Sequence, residues 1–321
     1  MRGMTLKNPV GRPCIIIERI LRMEKLIHLL EAHGPLTGKE IHEKTALNLF
    51  DLWEECNQCA DIVTTAIGTK YLRLDKQVEG FARLSPSIIR EFYNYTVLSL
   101  QEQSEEARIK AEQLHQSIIR ISKDKLALAK DIMEKIIAAQ PDPQGIQEKT
   151  CFIIAGDVAY DMAHLEPRPE FSTGKLVNGS DLDIVVIYQG LSEEMIKELD
   201  SAIYEWKFYL LKHPGYKEEI DYVIKDLATV ERQLEFVGFE SMVAAKVLEE
   251  GQFLCGNQAL FAEVKRRLVQ GGIPEVLEDL KARASLEREQ ARKRLLACRD
   301  SINDQEMRQL FYTTDEREEF F

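Results

Sequence analysis

Two aspartates stand at the entrance of an apolar run, in the segment Gly179–Tyr188 (GSDLDIVVIY). Residues i and i+2 of a strand point to the same face, so Asp181 and Asp183 are predicted to project side by side from a buried strand. Two carboxylates held that close repel each other, and a divalent cation between them removes the repulsion. Carboxylate oxygens are the ligands that Mg²⁺ prefers. The segment therefore predicts a metal site that handles phosphates.

The composition bounds the class of protein. The 321 residues are 45% hydrophobic and 30% charged, which is typical of a globular chain long enough for two domains. No run approaches the roughly 20 apolar residues of a membrane span, and the first residues lack the apolar core of a signal peptide. Six scattered cysteines indicate reduced thiols and a cytoplasmic protein. The net charge of −12 argues against binding of duplex DNA by overall electrostatic attraction. A nucleotide could still be bound through a metal ion at one local site.

Residues 1–85 are predicted to form a winged-helix-like domain. The predicted elements are helices over Ile15–His33, Gly38–Lys44 and Leu47–Cys59, followed by a β-hairpin of Asp61–Thr65 and Lys70–Leu74. The functional interpretation is DNA binding through the helix Leu47–Cys59, but that helix has no Lys or Arg, and residues 1–80 hold as many acidic as basic side chains. A module for docking or dimerisation is therefore favoured over DNA contact.

Residues 86–140 are predicted to be a helical connector. Apolar residues recur at helical spacing along it, namely Ala107, Ala111, Leu114, Ile118, Ile121, Leu128, Ile132 and Ile136. The pattern fits one long helix or two helices joined near Ser122–Lys125, which would pack on the next domain or pair with a second copy of the chain. Pro141–Gly145 ends it, and an α/β domain at 146–258 and a helical C-terminus at 259–321 complete an α+β fold.

A third carboxylate lies in another apolar segment, Ile220–Ile224, where Asp221 would be costly to bury unless it were paired or bound to metal. One predicted helix separates it from the first pair, which would bring it beside them in a small sheet. Each aspartate taken alone also has a structural explanation. Asp181 could be a turn residue, Asp183 could face solvent from a strand, and Asp221 could form an ion pair with a neighbouring lysine. The three in this order favour the metal site.

These residues resemble the nucleotidyltransferase superfamily of the DNA polymerase β type. The matching pieces are Phe152–Asp157, Ser180–Val185, Ile220–Tyr222 and the exit segment Lys246–Gly256, and the resemblance covers about residues 130–256. It implies two Mg²⁺ ions, with Mn²⁺ as the alternative, held by Asp181, Asp183 and Asp221. One ion would orient an NTP and the other would activate an acceptor hydroxyl, which attacks the α-phosphate and releases pyrophosphate. Asp221 is also the implied base.

The chain departs from the family pattern in two places. Gly156-Asp157 stands where the family has Gly-Ser, and the segment Glu166–Gly179 is an apparent insertion. Because an aspartate would repel the triphosphate, Ser172, Thr173 or Lys175 in the insertion is expected to replace the lost contacts. The predicted nucleotide-binding residues are therefore Gly156, Asp157, Lys175, Gly179 and Ser180.

Three functions follow from these patterns. The leading one is a metal-dependent nucleotidyltransferase whose acceptor is a protein hydroxyl, an RNA end or a small molecule. The second is a non-enzymatic winged-helix regulator whose degenerate nucleotidyltransferase-like domain senses a nucleotide. The third is a structural dimer built on residues 100–140. Cys56-x-x-Cys59 lacks a second ligand pair at zinc-binding spacing, so both thiols are predicted to be buried structural residues.

Overall fold

The computed structural model of the chain describes residues 12–170, 174–297, 301–313, 316 and 320, with side chains from residue 19 onward. Its helices are α1 (Arg12–His33), α2 (Gly38–Thr45), α3 (Leu49–Gln58), α4 (Ile88–Tyr95), α5 (Ser104–Ala138), α6 (Pro143–Lys149), α7 (Gly156–Ala159), α8 (Glu193–Lys212), α9 (Leu227–Gln233), α10 (Phe239–Glu250), α11 (Gln258–Gln270), α12 (Ile273–Ala297) and α13 (Asp304–Leu310). Its strands are β1 (Leu36–Thr37), β2 (Ile62–Ala66), β3 (Tyr71–Leu74), β4 (Ala82–Ser85), β5 (Thr96–Leu100), β6 (Thr150–Ile154), β7 (Pro167–Pro169), β8 (Leu176–Asn178), β9 (Leu182–Tyr188), β10 (Ile220–Asp226) and β11 (Gln252–Gly256). Mixed helices and small sheets agree with the predicted α+β class.

The N-terminal part contains the three predicted helices, but the predicted hairpin is wrong. Strand β2 pairs with β5, and β3 pairs with β4, both in antiparallel fashion. The physical reason is burial: all five residues of β5 are buried, so pairing with β2 and β1 covers an apolar strand that the sequence pattern had assigned to the helical connector. Leu72 and Leu84 of the β3–β4 pair instead join a core cluster with the C-terminal helices.

Helix α5 is a single continuous helix of 35 residues. Its buried stripe includes two polar residues, Ser122 and Lys125, which lie where the sequence pattern also allowed a break between two helices. The preceding helix α4 is capped by Ser87, whose hydroxyl oxygen accepts a hydrogen bond from the Arg90 amide. Among the described residues no helix combines the length and the apolarity that crossing a bilayer requires.

A four-stranded sheet of order β10-β9-β6-β11 forms the centre of the second half. The β9–β10 pair is parallel and is joined through α8, whereas the other two pairs are antiparallel. Leu182, Ile184 and Val186 of β9 pack into one core cluster with residues of α5 and α8. Val185 and Ile187 point to the opposite face, into a cluster with residues of α10, α11 and α12. Because both faces are covered, the strand reads as a nearly continuous apolar run.

Candidate active site

The register of the central sheet brings the predicted acidic residues together. Asp221 of β10 lies directly opposite Asp183 of β9, so the two side chains share one face of the sheet. Asp181 precedes Asp183 by two residues, and all three line one cleft of about 480 Å³. Asp221 is exposed, whereas Asp181 and Asp183 are half-buried. The sequence therefore located this end of β9 and β10 as a site of concentrated negative charge.

Gly156, at the end of β6, permits the close approach of a carboxylate to the backbone. Its φ of +65° is in the left-handed region, and a Cβ there would lie 2.0 Å from Oδ2 of Asp183. The neighbouring Ala155 amide donates a 3.0 Å hydrogen bond to the Asp183 carbonyl oxygen. Glycine is therefore required at this turn for conformation and for space, so Gly156 shapes the cleft around Asp183.

The concentration of carboxylates changes the acidity of Asp183. Burial is the largest cause, followed by repulsion from Asp157, Asp221 and Glu250, and together they raise the pKa of Asp183 from 3.8 to about 7. The ammonium of Lys246 acts in the opposite direction. A carboxyl group whose charged form is disfavoured by its neighbours is a group that gains from a bound cation.

Asp157 occupies the position where the nucleotidyltransferase pattern has serine. Each of its carboxylate oxygens accepts a hydrogen bond from a hydroxyl group of the chain. Its Oδ2 accepts a 2.6 Å hydrogen bond from the Ser180 hydroxyl, and its Oδ1 accepts one from the Tyr71 hydroxyl of β3. Ser85 of β4 donates in turn to the Tyr71 oxygen at 3.2 Å. Asp157 therefore links the N-terminal part of the chain to the loop that precedes β9. No pattern in the sequence predicts this role.

Gly179 and Ser180 are held in the same network. The Ser180 amide donates to the His164 carbonyl at 3.1 Å, and the His164 amide donates to the Ser180 hydroxyl oxygen at 3.2 Å. Gly179 has a φ of +61°, and a Cβ would lie 1.9 Å from the His164 carbonyl oxygen. Burial, and then the cations Arg90, Lys125 and Arg168, hold the pKa of His164 well below its usual range. His164, which is held to Ser180 by these two hydrogen bonds, is therefore disfavoured in its charged form.

Four cationic side chains line the cleft that were not among the predicted site residues, namely Arg73, Arg90, Arg168 and Lys246. Arg168 of β7 forms an ion pair with Asp181 and donates a 3.0 Å hydrogen bond to Glu219. Lys246 of α10 forms an ion pair with Glu250, and its Nζ lies 5.6 Å from the ring centroid of Tyr71. The only sequence signal was for Lys246, which lies in the exit segment; Arg168 lies in the apparent insertion, where no pattern distinguishes it from a surface arginine.

The predicted phosphate contacts of the insertion have different outcomes. Ser172 and Thr173 lie outside the described residues. Lys175 is exposed and is not among the described residues that line the cleft. The insertion is also more regular than expected, because β7 and β8 pair within it. Arg168 is the basic residue that this segment brings into the cleft.

The carboxylates match an oxygen-ligated divalent cation in donor chemistry, because Asp183 and Asp221 share one face and Asp183 is destabilised by like charge. The side chains are not arranged as a finished metal centre. Within the described ranges, no group of three or more His, Cys, Asp or Glu side chains has the geometry to hold a metal ion. The ion pair between Arg168 and Asp181 accounts for part of this, since Asp181 is turned to a cation of the protein itself.

The helix considered for DNA contact, α3, is largely buried. Glu54 and Glu55 lie inside the fold, and Glu55 accepts a 2.5 Å hydrogen bond from Arg22 of α1. Cys56 of α3 and Cys59, which caps it, are both buried, and burial raises the pKa of the Cys56 thiol far above its usual value. The face that would have to enter a groove is therefore packed against the rest of the chain.

We compared the chain with protein-family models, with curated proteins and with solved structures, and none of the three comparisons found a match.

Proposed function

We propose that this protein is a metal-dependent nucleotidyltransferase that transfers a nucleoside monophosphate from an NTP to a hydroxyl acceptor and releases pyrophosphate. The single observation that supports the proposal most is the register of β9 and β10, which sets Asp221 opposite Asp183, with Asp181 two residues before it. Three carboxylates separated by up to 40 positions in the sequence line one cleft. A purely structural role would not need this convergence, because like charges at one place are destabilising.

In this proposal Asp181, Asp183 and Asp221 hold Mg²⁺, or Mn²⁺ in its place. Two such ions orient a triphosphate and lower the pKa of the acceptor hydroxyl when they are bound. The chain itself contributes the cleft, the glycine turn at Gly156 that lets Asp183 approach the backbone, and the cations Lys246 and Arg168. Arg168 pairs with Asp181, so a cation held by Asp181 would compete with this guanidinium for the carboxylate.

The acceptor is restricted by the walls of the cleft. Tyr71 and Ser85 from the N-terminal part and Thr313 near the C-terminus line it together with the carboxylates. A cleft of about 480 Å³ is in the range of small-ligand sites, which are about 300–1,000 Å³. This favours a small acceptor or the end of a longer one. We do not propose DNA binding through α3, since its surface is packed within the chain.

The test is Mg²⁺-dependent release of pyrophosphate from each of the four NTPs, measured with the wild-type chain and with Asp183→Asn and Asp181→Asn. A matched control is Asp124→Asn, which removes an exposed carboxylate of α5 outside the cleft. We expect release that is lost in both site variants and kept in the control. Release that persists in Asp183→Asn would refute the proposed role of the carboxylates.

The second candidate is a nucleotide sensor without turnover. The Arg168–Asp181 ion pair and the occupation of both Asp157 oxygens by protein hydroxyls favour it, because both describe a site that is partly satisfied without a ligand. Calorimetric titration with Mg²⁺ and each NTP separates the two functions. Binding that needs Asp183 but yields no pyrophosphate would establish the sensor, and a dimer without either property would leave only a structural role.

A further inference from the structure

Two buried or partly buried cations bridge the loops that lead into the acid-bearing strands. Lys125 of α5 donates from its Nζ to the carbonyl oxygens of Asn178 and Ser180, each at 2.8 Å, and to the carboxylate of Glu218. These three acceptors use all three donors of the ammonium group. The Lys125 side chain is only 3% exposed, so the contacts are made away from solvent.

Arg168 contacts the same two loops as Lys125, in each case at the next residue along the chain. Its Nε donates to the Gly179 carbonyl oxygen at 2.9 Å, and its guanidinium binds Glu219 at 3.0 Å and Asp181. The three successive carbonyls of residues 178, 179 and 180 therefore all point at a cation. The successive carboxylates of residues 218 and 219 bind the same two cations.

We infer that Lys125 and Arg168 form a clamp that fixes the distance between the start of β9 and the start of β10, and that Lys125 is a positioning residue for the metal ligands. The inference rests on the proposed function for its chemical meaning. Its physical reason is electrostatic: Asp183 and Asp221 repel each other across the strand pair, and a cation shared by both preceding loops opposes that separation. The backbone bond from the Leu182 amide to the Glu219 carbonyl, 2.9 Å long, lies between the clamp and the carboxylates.

The clamp also explains an anomaly in the sequence. Along α5 the buried positions run through Ile118, Ser122, Lys125, Ala129 and Ile132, so a lysine stands where helical spacing calls for an apolar residue. A lysine is almost never fully buried unless it is paired, and here its partners belong to the loops of the cleft. The long helix is thereby tied to the site through one side chain.

The test uses the double variant Lys125→Met/Glu218→Gln, which removes the ammonium without leaving a buried carboxylate unpaired. The matched control is Lys135→Met, which removes an exposed lysine from the same helix. Hydrogen exchange is measured by mass spectrometry on the metal-free chains. We expect exchange in the segments 178–183 and 218–221 to rise at least tenfold in the double variant and not in the control. Strand β6 is the internal reference.

Unchanged exchange in those two segments, or a rise of the same size in β6, would overturn the clamp. Mn²⁺ binding, measured by electron paramagnetic resonance, then tests the positioning role of Lys125. We expect the double variant to bind Mn²⁺ at least tenfold more weakly than the wild type and the control; wild-type affinity in the double variant would refute that role. Failure of the proposed function can be distinguished from failure of the clamp. If the carboxylates do not hold a metal, Asp183→Asn binds Mn²⁺ as the wild type does, whereas the clamp is decided by the hydrogen-exchange result alone.

Discussion

Replacing Asp183 by asparagine should change the pH dependence of stability in a defined direction. In the folded chain the pKa of Asp183 is raised from 3.8 to about 7, chiefly by burial and then by Asp157, Asp221 and Glu250. Between these two values the folded state holds a proton that the unfolded state has released. The free energy of unfolding therefore falls as the pH rises through this window. Asparagine has no such proton, so the variant escapes the loss.

The magnitude follows from the same shift. With a folded pKa of about 7, ionisation of Asp183 lowers the free energy of unfolding by about 2 kcal/mol between pH 5.5 and pH 8.5, at about 1.4 kcal/mol per pH unit below that pKa. His164, whose pKa is lowered, changes stability in the opposite direction below its ordinary pKa of 6.5. It titrates in both chains, however, so the difference between variant and wild type isolates Asp183.

The assay is urea unfolding of both chains at pH 5.5 and 8.5, with and without Mg²⁺. We expect the stability of Asp183→Asn relative to the wild type to increase by about 2 kcal/mol from the lower to the higher pH without metal. We also expect added Mg²⁺ to stabilise only the wild type at pH 8.5, because the variant has lost a ligand. Asp124→Asn, which removes an exposed carboxylate outside the cleft, serves as the matched control. A stability difference that does not change with pH would contradict the raised pKa of Asp183.

Three further changes test separate parts of the structure. Gly156→Ala places a Cβ 2.0 Å from the Asp183 carboxylate at a φ of +65°, so thermal unfolding should show a loss of at least about 1–2 kcal/mol, and unchanged stability would contradict the close approach. Tyr71→Phe removes a hydrogen bond to the carboxylate of Asp157 and should cost about 1.5–3 kcal/mol in urea unfolding, whereas a neutral effect would argue against that link. Trp53→Ala empties a buried position packed on Phe311 and should cost about 3–5 kcal/mol by calorimetry; a loss below 1 kcal/mol would contradict the packing of the C-terminal part on α3.

Local patterns in the sequence were sufficient for the elements with strong periodicity. The long helix α5, the apolar strand β9 with Asp183 and the second acidic strand β10 all lie close to their predicted positions, whereas Asp181, which was predicted to project from the same strand, lies one residue before it. The convergence of Asp183 and Asp221 also followed, because strands joined through one helix tend to lie side by side in one sheet.

Other features depend on contacts that no local pattern records. The partner of β2 is β5, some 30 residues further along the chain, and the choice is made by burial rather than by proximity in the sequence. Arg168 could not be distinguished from a surface arginine without the fold. Lys125 is detectable in the sequence as a lysine within an apolar stripe. Its partners in the loops of the cleft are visible only in the structure.

The most direct test of the central claim is a crystal structure of the chain with Mg²⁺ and a non-hydrolysable NTP analogue. We expect a cation bound by both Asp183 and Asp221, with the α-phosphate beside it and Arg168 released from Asp181. A nucleotide bound elsewhere, or a cleft in which Asp221 makes no contact with the metal while Arg168 keeps its ion pair, would contradict it.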